Sequence, residues 1–197
     1  NRVYALVEST KSGLYKSDDG GYNFTLVNSQ KTIVDNRPFY FQDIIADPLN
    51  ENTLWYISQT VVKSIDGGKN FTKLGKENGL PEGNLGRVGI TISKSNPNRV
   101  YALVESTKSG LYRSDDGGYN FILVNAQKSI VDNRPFYFQD IICDPLNENT
   151  LWYISQTVVK SIDGGKNFET IIPYSGIHPD HHAFWIHPED PNYLIDG

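Results

Sequence analysis

SDDGGYNF, Ser114 to Phe121, is the stretch that decides the fold. It sits between two short apolar runs, GLYRS (Gly110–Ser114) and NFILVN (Asn120–Asn125). Two aspartates followed by two glycines read as a tight turn. Glycine takes positive φ at no steric cost, and an aspartate carboxylate accepts hydrogen bonds from nearby turn N–H groups. The octet recurs at Ser17–Phe24, and a relative, SIDGGKNF, stands at Ser64–Phe71 and Ser161–Phe168. The four serines are 47, 50 and 47 residues apart. A fixed self-similar period marks repeat architectures, whose units stack because none buries its apolar face alone.

A second, longer period overlies the first. Residues 1–71 return as 98–168 with only five differences: Lys16/Arg113, Thr25/Ile122, Ser29/Ala126, Thr32/Ser129 and Ala46/Cys143. Such near-identity points to a recent or engineered duplication. The working unit is nevertheless about 48 residues, and the chain carries four.

Each unit reads alike. In the third, RVGITISK (Arg87–Lys94) alternates apolar and polar residues like a half-buried strand. SNPN (Ser95–Asn98) turns, and RVYALVE (Arg99–Glu105) is a second strand rich in branched and aromatic residues. GLYRS is a third, DDGG turns the chain, and NFILVN is a fourth. The second unit repeats the plan as FYFQDIIAD, PLNEN, TLWYIS, VVKS, IDGG and NFTKL. Four short strands, tight turns and no helical periodicity describe one blade of an all-β propeller made of four-stranded antiparallel blades. Both faces of a blade pack on neighbours, so both carry apolar residues. The chain is expected to be a single propeller segment over 1–197, with blade pairs 1–97 and 98–197, completed by further blades or by a homodimeric ring. It begins at a second strand (Arg2–Glu8) and ends with a first and second strand (Ala183–His187, Tyr193–Ile195).

Composition sets bounds. At 38% hydrophobic and 12% aromatic residues, a packed all-β core is within reach. A net charge of −5 without a basic stripe argues against nucleic acid. No apolar run approaches membrane-spanning length. The one cysteine, Cys143, excludes an intrachain disulfide and reads as a small buried hydrophobe. Asn23-Phe24-Thr25 and Asn70-Phe71-Thr72 match a glycosylation acceptor, but their twins at Asn120 and Asn167 do not, and the matches read as chance.

The four turns share Ser-x-Asp-x-Gly-x-x-Phe: Ser17/Asp19/Gly21/Phe24, Ser64/Asp66/Gly68/Phe71, Ser114/Asp116/Gly118/Phe121 and Ser161/Asp163/Gly165/Phe168. The carboxylate ties the turn, the glycine bends it, and the aromatic ring is expected to re-enter the sheet and anchor it. Calcium would need more oxygens than the adjacent pairs Asp18/Asp19 and Asp115/Asp116 supply. This pattern resembles the Asp-box, or BNR repeat, of sialidase-like and sortilin-like propellers. In those families the box lies at the outer edge of the blade and is structural. GLPEGNLGRVGITISKSNPNRVYALVE (Gly79–Glu105), NRPFYFQDIICDP (Asn133–Pro145) and HPDHHAFWIHPEDPNYLIDG (His178–Gly197) look like consecutive blades of the large bacterial sortilin-like proteins often labelled glycosyl hydrolases. The resemblance implies an extracellular or periplasmic location. The hydrolase label rests on the boxes and does not carry over with them.

Candidate binding residues gather where blades begin. All four histidines, His178, His181, His182 and His187, fall within ten residues. Adjacent strand residues point to opposite faces, so His181 and His182 do not share one metal, and three or four converging ligands are lacking. Arg-Pro-Phe-Tyr-Phe occurs at Arg37–Phe41 and Arg134–Phe138, and a cation followed by aromatics suits a carboxylate, a peptide terminus or a sugar ring. Arg87 holds the matching point of its own blade. Arg87, Arg134, Tyr137, Asp140, Asp180, His181 and His182 are therefore expected to line one axial mouth, without metal or cofactor.

Three functions fit. The preferred one is a non-catalytic scaffold binding a protein or peptide ligand, and possibly carbohydrate, at that mouth, as sortilin-like domains do. A second is a glycoside hydrolase resembling the two-propeller endoglucanases that cleave xyloglucan. That chemistry needs two facing carboxylates ~5–5.5 Å or ~6.5–9.5 Å apart. Boxes and turns absorb most acids, and no second acid is visibly paired with the attractive leftovers, Asp43 and Asp140. A sialidase would need an arginine cluster that no spacing suggests. The third is an engineered or fragmentary repeat protein without ligand.

Overall fold

Leu151-Trp152-Tyr153-Ile154 is buried at every position, because the strand packs apolar residues on both faces. Leu151 and Tyr153 enter one core; Trp152 and Ile154, pointing the other way, enter another. The computed structural model describes residues 1–31, 42–131 and 139–197. Both Arg-Pro-Phe-Tyr-Phe stretches, with Arg134 and Tyr137, lie outside the described residues.

The chain divides into two units, Asn1–Gly75 and Lys76–Gly197. The first holds a three-stranded sheet, β1 (Val3–Val7), β2 (Gly13–Ser17) and β3 (Thr25–Asn28), and a four-stranded one, β4 (Asp43–Ala46), β5 (Leu54–Ile57), β6 (Val61–Ser64) and β7 (Thr72–Leu74). The second holds two four-stranded sheets and a hairpin. These are β8 (Val88–Ile92), β9 (Val100–Val104), β10 (Gly110–Ser114) and β11 (Ile122–Asn125); β12 (Asp140–Cys143), β13 (Leu151–Ile154), β14 (Val158–Ser161) and β15 (Glu169–Ile172); and β16 (Phe184–Ile186) with β17 (Leu194–Asp196). Every sheet is an antiparallel meander in chain order, the expected blade of a β-propeller. Bulges fall at equivalent places, Leu14/Tyr15, Leu111/Tyr112 and Val158/Val159. Among the described residues the chain is all-β apart from short helical turns, among them a 3-10 helix at Lys76–Asn78 and an α-turn, α1 (Lys128–Val131). No sequence periodicity announces the latter. Its Val131 is buried in the core between the β8–β11 and β12–β15 sheets, with Tyr101, Leu103, Leu111, Ile141 and Tyr153.

Identical letters meet different surroundings. VYALV is fully buried as β9 but half-exposed as β1. Strand β8 covers the open edge of β9, whereas β1 is an edge strand among the described residues.

The box aromatics correct an expectation in the same way. Phe121 is 4% exposed and Phe71 and Phe168 pack against cores, but Phe24 is 42% exposed and joins no core cluster among the described residues. Over Phe121 lies the segment after Lys76. Phe121 N donates to Asn78 O (2.7 Å), and Asn78 Nδ2 donates to Tyr119 O (2.8 Å). No described segment of Asn1–Gly75 does this for Phe24.

Candidate functional site

The four turns share one hydrogen-bond circuit. In the third, the Ser114 hydroxyl donates to Asp116 Oδ1 (2.6 Å) and accepts from Gly118 N (2.8 Å). Asp116 Oδ1 also takes Tyr119 N and Asn120 N, and Oδ2 takes Asn120 Nδ2 (2.6 Å). Ser17/Asp19, Ser64/Asp66 and Ser161/Asp163 repeat the pattern, with Gly21 N, Gly68 N and Gly165 N each donating to the serine hydroxyl at 2.9 Å. Burial alone would raise Asp116, but these donors hold it down at about 2, and the Asn167 amide leads the lowering of Asp163 to about 2. Asp19 and Asp66 are lowered too, Asp19 chiefly by the Ser17 hydroxyl. The asparagine completes the circuit, yet the Ser-x-Asp-x-Gly-x-x-Phe pattern omits it, though it stands in all four octets. Its amide is spent on the carboxylate, at 2.7 Å in Asn23 and Asn70.

The box glycine bends its turn as expected, and in places it does more. The bend is there: φ is +98° at Gly21, +86° at Gly68, +85° at Gly118 and +87° at Gly165. At Gly68 and Gly165 the glycine also seats the preceding sheet. A Cβ on Gly165 would overlap Leu111, and one on Gly68 would overlap Leu14, the twin of Leu111. Gly21 has no such duty, since a Cβ there would meet only Val3 Cγ2, at 4.0 Å. The reason is position, because the box of Gly21 has no preceding sheet among the described residues to receive. Asparagines complete the lacing. Asn125 Nδ2 donates to Gly165 O and Lys166 O, and Asn28 Nδ2 to Gly68 O and Lys69 O. The other aspartate of the pair is held by cations: Asp115 pairs with Arg99 and Arg113, as Asp18 does with Arg2 and Lys16.

Five of the residues expected at a mouth, Arg87, Asp140, Asp180, His181 and His182, lie in Lys76–Gly197, where first strands begin. Strands β8 and β12 run side by side: Arg87 Nε donates to Gln139 O (3.2 Å) at one end, and Cys143 N to Thr91 Oγ1 (3.0 Å) at the other. Asp140 pairs with Ile154 in the β12–β13 ladder, which puts Ser155 at that same starting end. Ser155 O accepts His181 N (3.1 Å), and Gly197 O accepts His182 N and Ala183 N. Arg87, Asp140, Asp180, His181 and His182 thus share one rim with Gln139, Ser155 and Asp196.

Within it the roles differ. His181 is 3% exposed, with Nδ1 2.6 Å from Asp196 Oδ2. His182 is exposed, its Nε2 3.0 Å from Asp180 Oδ1. Asp140 is exposed and accepts from Ile141 N (2.8 Å). Gln139 is buried and accepts from Tyr153 Oη (3.3 Å). Five buried atoms here, Gln139 Nε2, Ser155 Oγ, His181 Nε2, Asp196 Oδ1 and Asp180 Oδ1, have no hydrogen-bond partner among the described residues, the last lying only in ion-pair reach of His182. His187 organises its turn: Nδ1 accepts Glu189 N and Asp190 N, and the ring abuts Trp185 and Tyr193. His178 contributes through its backbone, its carbonyl accepting Asp180 N (3.0 Å). Among the described residues no three His, Cys, Asp or Glu side chains converge as a metal site, and no helix is long and apolar enough to cross a membrane.

No protein-family model matches the chain, and no curated protein matches it. Solved structures do. An ancestral GH74 enzyme is 20% identical with a TM-score of 0.63, over 95% of this chain and 24% of that one. The GH74 xyloglucanase from Xanthomonas campestris is 15% identical with a TM-score of 0.65, over 93% of this chain and 30% of that one. YCF48 from Cyanidioschyzon merolae is 12% identical with a TM-score of 0.59, over 91% and 59%. At such identity the likeness establishes a fold, a β-propeller segment of about four blades. The chain spans about a quarter to a third of the length of the GH74 enzymes it matches.

Proposed function

We propose that this chain is a non-catalytic β-propeller scaffold that binds a protein or peptide ligand at the rim built from Arg87, Gln139–Asp140, Ser155, Asp180–His182 and Asp196. The observation that carries the reading is the buried polar set Gln139 Nε2, Ser155 Oγ and His181 Nε2, unpartnered among the described residues at one end of adjacent blades. Orphaned buried donors and acceptors cost about 1–3 kcal/mol each, and a ligand carrying peptide-like N–H and C=O groups offsets that cost. Asp140 and His182, exposed beside them, supply the charged contacts. Loops at one end of a rigid sheet scaffold suit such a role. The Asp-box resemblance supports a sortilin-like kinship and an extracellular or periplasmic setting. Closure of the ring, by more blades or by a second copy, belongs to the same proposal.

The hydrolytic alternative draws on the fold shared with GH74 enzymes, one of them a xyloglucanase. Facing carboxylates are its chemical need. At this rim Asp180 and Asp196 are each engaged with a histidine.

An arrayed random-peptide library probed with the chain tests the proposal. Hits are expected to shift the His181 and His182 imidazole NMR signals and to weaken about tenfold with Asp140→Asn or His182→Ala, as loss of a charge-assisted contact dictates. Xyloglucan and aryl glycosides should stay intact. Their turnover, abolished by Asp140→Asn, would replace the binding reading with the catalytic one.

A further inference from the structure

We propose that the cavity between the Lys76–Glu82 linker and strands β10 and β11 is a binding site for a small aromatic carboxylate, its ring against Leu80, Tyr112 and Leu123 and its anionic group toward Lys108. The cavity holds about 590 Å³, and every residue lining it belongs to Lys76–Gly197. No rim residue is among them. Small-molecule sites are concave, about 300–1,000 Å³, apolar for the most part, with a few polar groups that fix orientation.

Each wall is fixed by hydrogen bonds of its own. The linker is tied to β11 through Asn78, whose carbonyl accepts Phe121 N and whose amide reaches Tyr119 O, and Gly79 N closes on Lys76 O (2.9 Å). Gly79, at φ +79°, passes so near β11 that a Cβ there would overlap Phe121 O. That close approach lays down Leu80 and Pro81, both buried, as the floor. On the blade side Tyr112 is buried and its hydroxyl donates to Lys108 O (2.8 Å). The β9–β10 turn is laced by Ser109 Oγ donating to Ser106 O (2.9 Å) and Lys108 N to Ser106 Oγ (2.9 Å). Leu123, 51% exposed, lies along the same space and would be covered by a ring seated there. Walls held in this way leave little ordering for a ligand to impose.

Charge selects the ligand. Lys76, Glu82 and Lys108 are the ionisable groups at the cavity besides the Tyr112 phenol. Lys76 Nζ stands 3.1 Å from Glu82 Oε2, so these two answer each other. Lys108 has no ion pair among the described residues and leaves one positive charge uncompensated, with Thr107 beside it. The whole chain carries −5, so this local excess runs against its surroundings and favours an anion. Leucine, proline and tyrosine side chains suit a planar apolar body. Thr107, Lys108, Tyr112 and Leu123 recur as Thr10, Lys11, Tyr15 and Leu26, but Lys76–Glu82 has no second copy in the sequence. The site is therefore a property of the linker and not of the repeat.

The test uses the whole chain and two probes with one ring system, 2-naphthoate and 2-naphthylmethylamine, titrated by methyl NMR. Naphthoate is expected to bind saturably with a Kd of about 1 mM or below. The methyl signals of Leu80, Leu123 and Thr107 should shift together. The amine meets Lys108 with like charge and should bind roughly fivefold more weakly or worse. Lys108→Gln should weaken naphthoate about threefold, and Lys108→Arg should restore it. Lys108 is exposed in a turn, and the comparison of the two probes needs no variant at all. Equal affinity for acid and amine overturns the site, as does absence of saturable binding. Shifts confined to Asp180–His182 also overturn it and leave the rim standing, so the two proposals fail separately.

Discussion

Val104→Ala and Val7→Ala remove the same atoms from the same pentapeptide, yet their costs should differ. Val104 is 0% exposed, between β8 and β10, and Val7 is 36% exposed at an edge. Two buried methyl-sized groups at about 0.8 kcal/mol each give about 1.6 kcal/mol of transfer, and a cavity that cannot collapse raises Val104→Ala to about 2–3 kcal/mol. At Val7 a third of the side chain is already in water and the edge relaxes, so about 1 kcal/mol or less is expected. Urea denaturation read by tryptophan fluorescence measures both, fitted with as many transitions as appear because two units need not unfold together. The Val104 variant should lose at least ~1 kcal/mol more. Losses equal within ~0.5 kcal/mol would refute the assignment of the difference to β8 cover.

Acid should attack the box turns. Asp116 and Asp163 stand at about 2, below the ordinary 3.8, so their contribution is complete above about pH 4 and lost as pH falls toward 2. Melting temperature should fall across that window, less steeply in Asp116→Asn, and a flat profile would contradict the circuit. The Cys143 thiol is pushed up to about 12 by burial. A disulfide reagent at pH 8 should leave it unmodified in the native chain and label it at once in denaturant; equal rates in both states would place the thiol in solvent.

What the sequence revealed was what local chemistry dictates. Gly-Gly after Asp had one good use, and LWYI, apolar throughout, had to bury two faces. The box asparagine is equally local, and its recurrence in all four octets is the signal that marks it. Other features depend on what lies far along the chain. Nothing in SDDGGYNF distinguishes Phe24 from Phe121; the Asn78 segment does. Gly21 and Gly68 occupy the same place in their octets, and only the Leu14 side chain against Gly68 separates their roles. His181 and Asp196 are fifteen residues apart and meet only through the β16–β17 hairpin. Gln139 owes its place to the start of β12 beside β13, which no periodicity announces.

The near-identity of β1 and β9 also bears on how the chain reaches its fold. During folding β8 meets two strands it cannot tell apart by sequence. Seven residues, Ser93–Arg99, separate it from β9, and eighty, Glu8–Arg87, separate it from β1. Loop closure favours the nearer partner by about 2 kcal/mol, roughly thirtyfold in encounter. Fidelity in this step therefore comes from the brevity of the Ser93–Arg99 turn and not from any difference between the strands it selects.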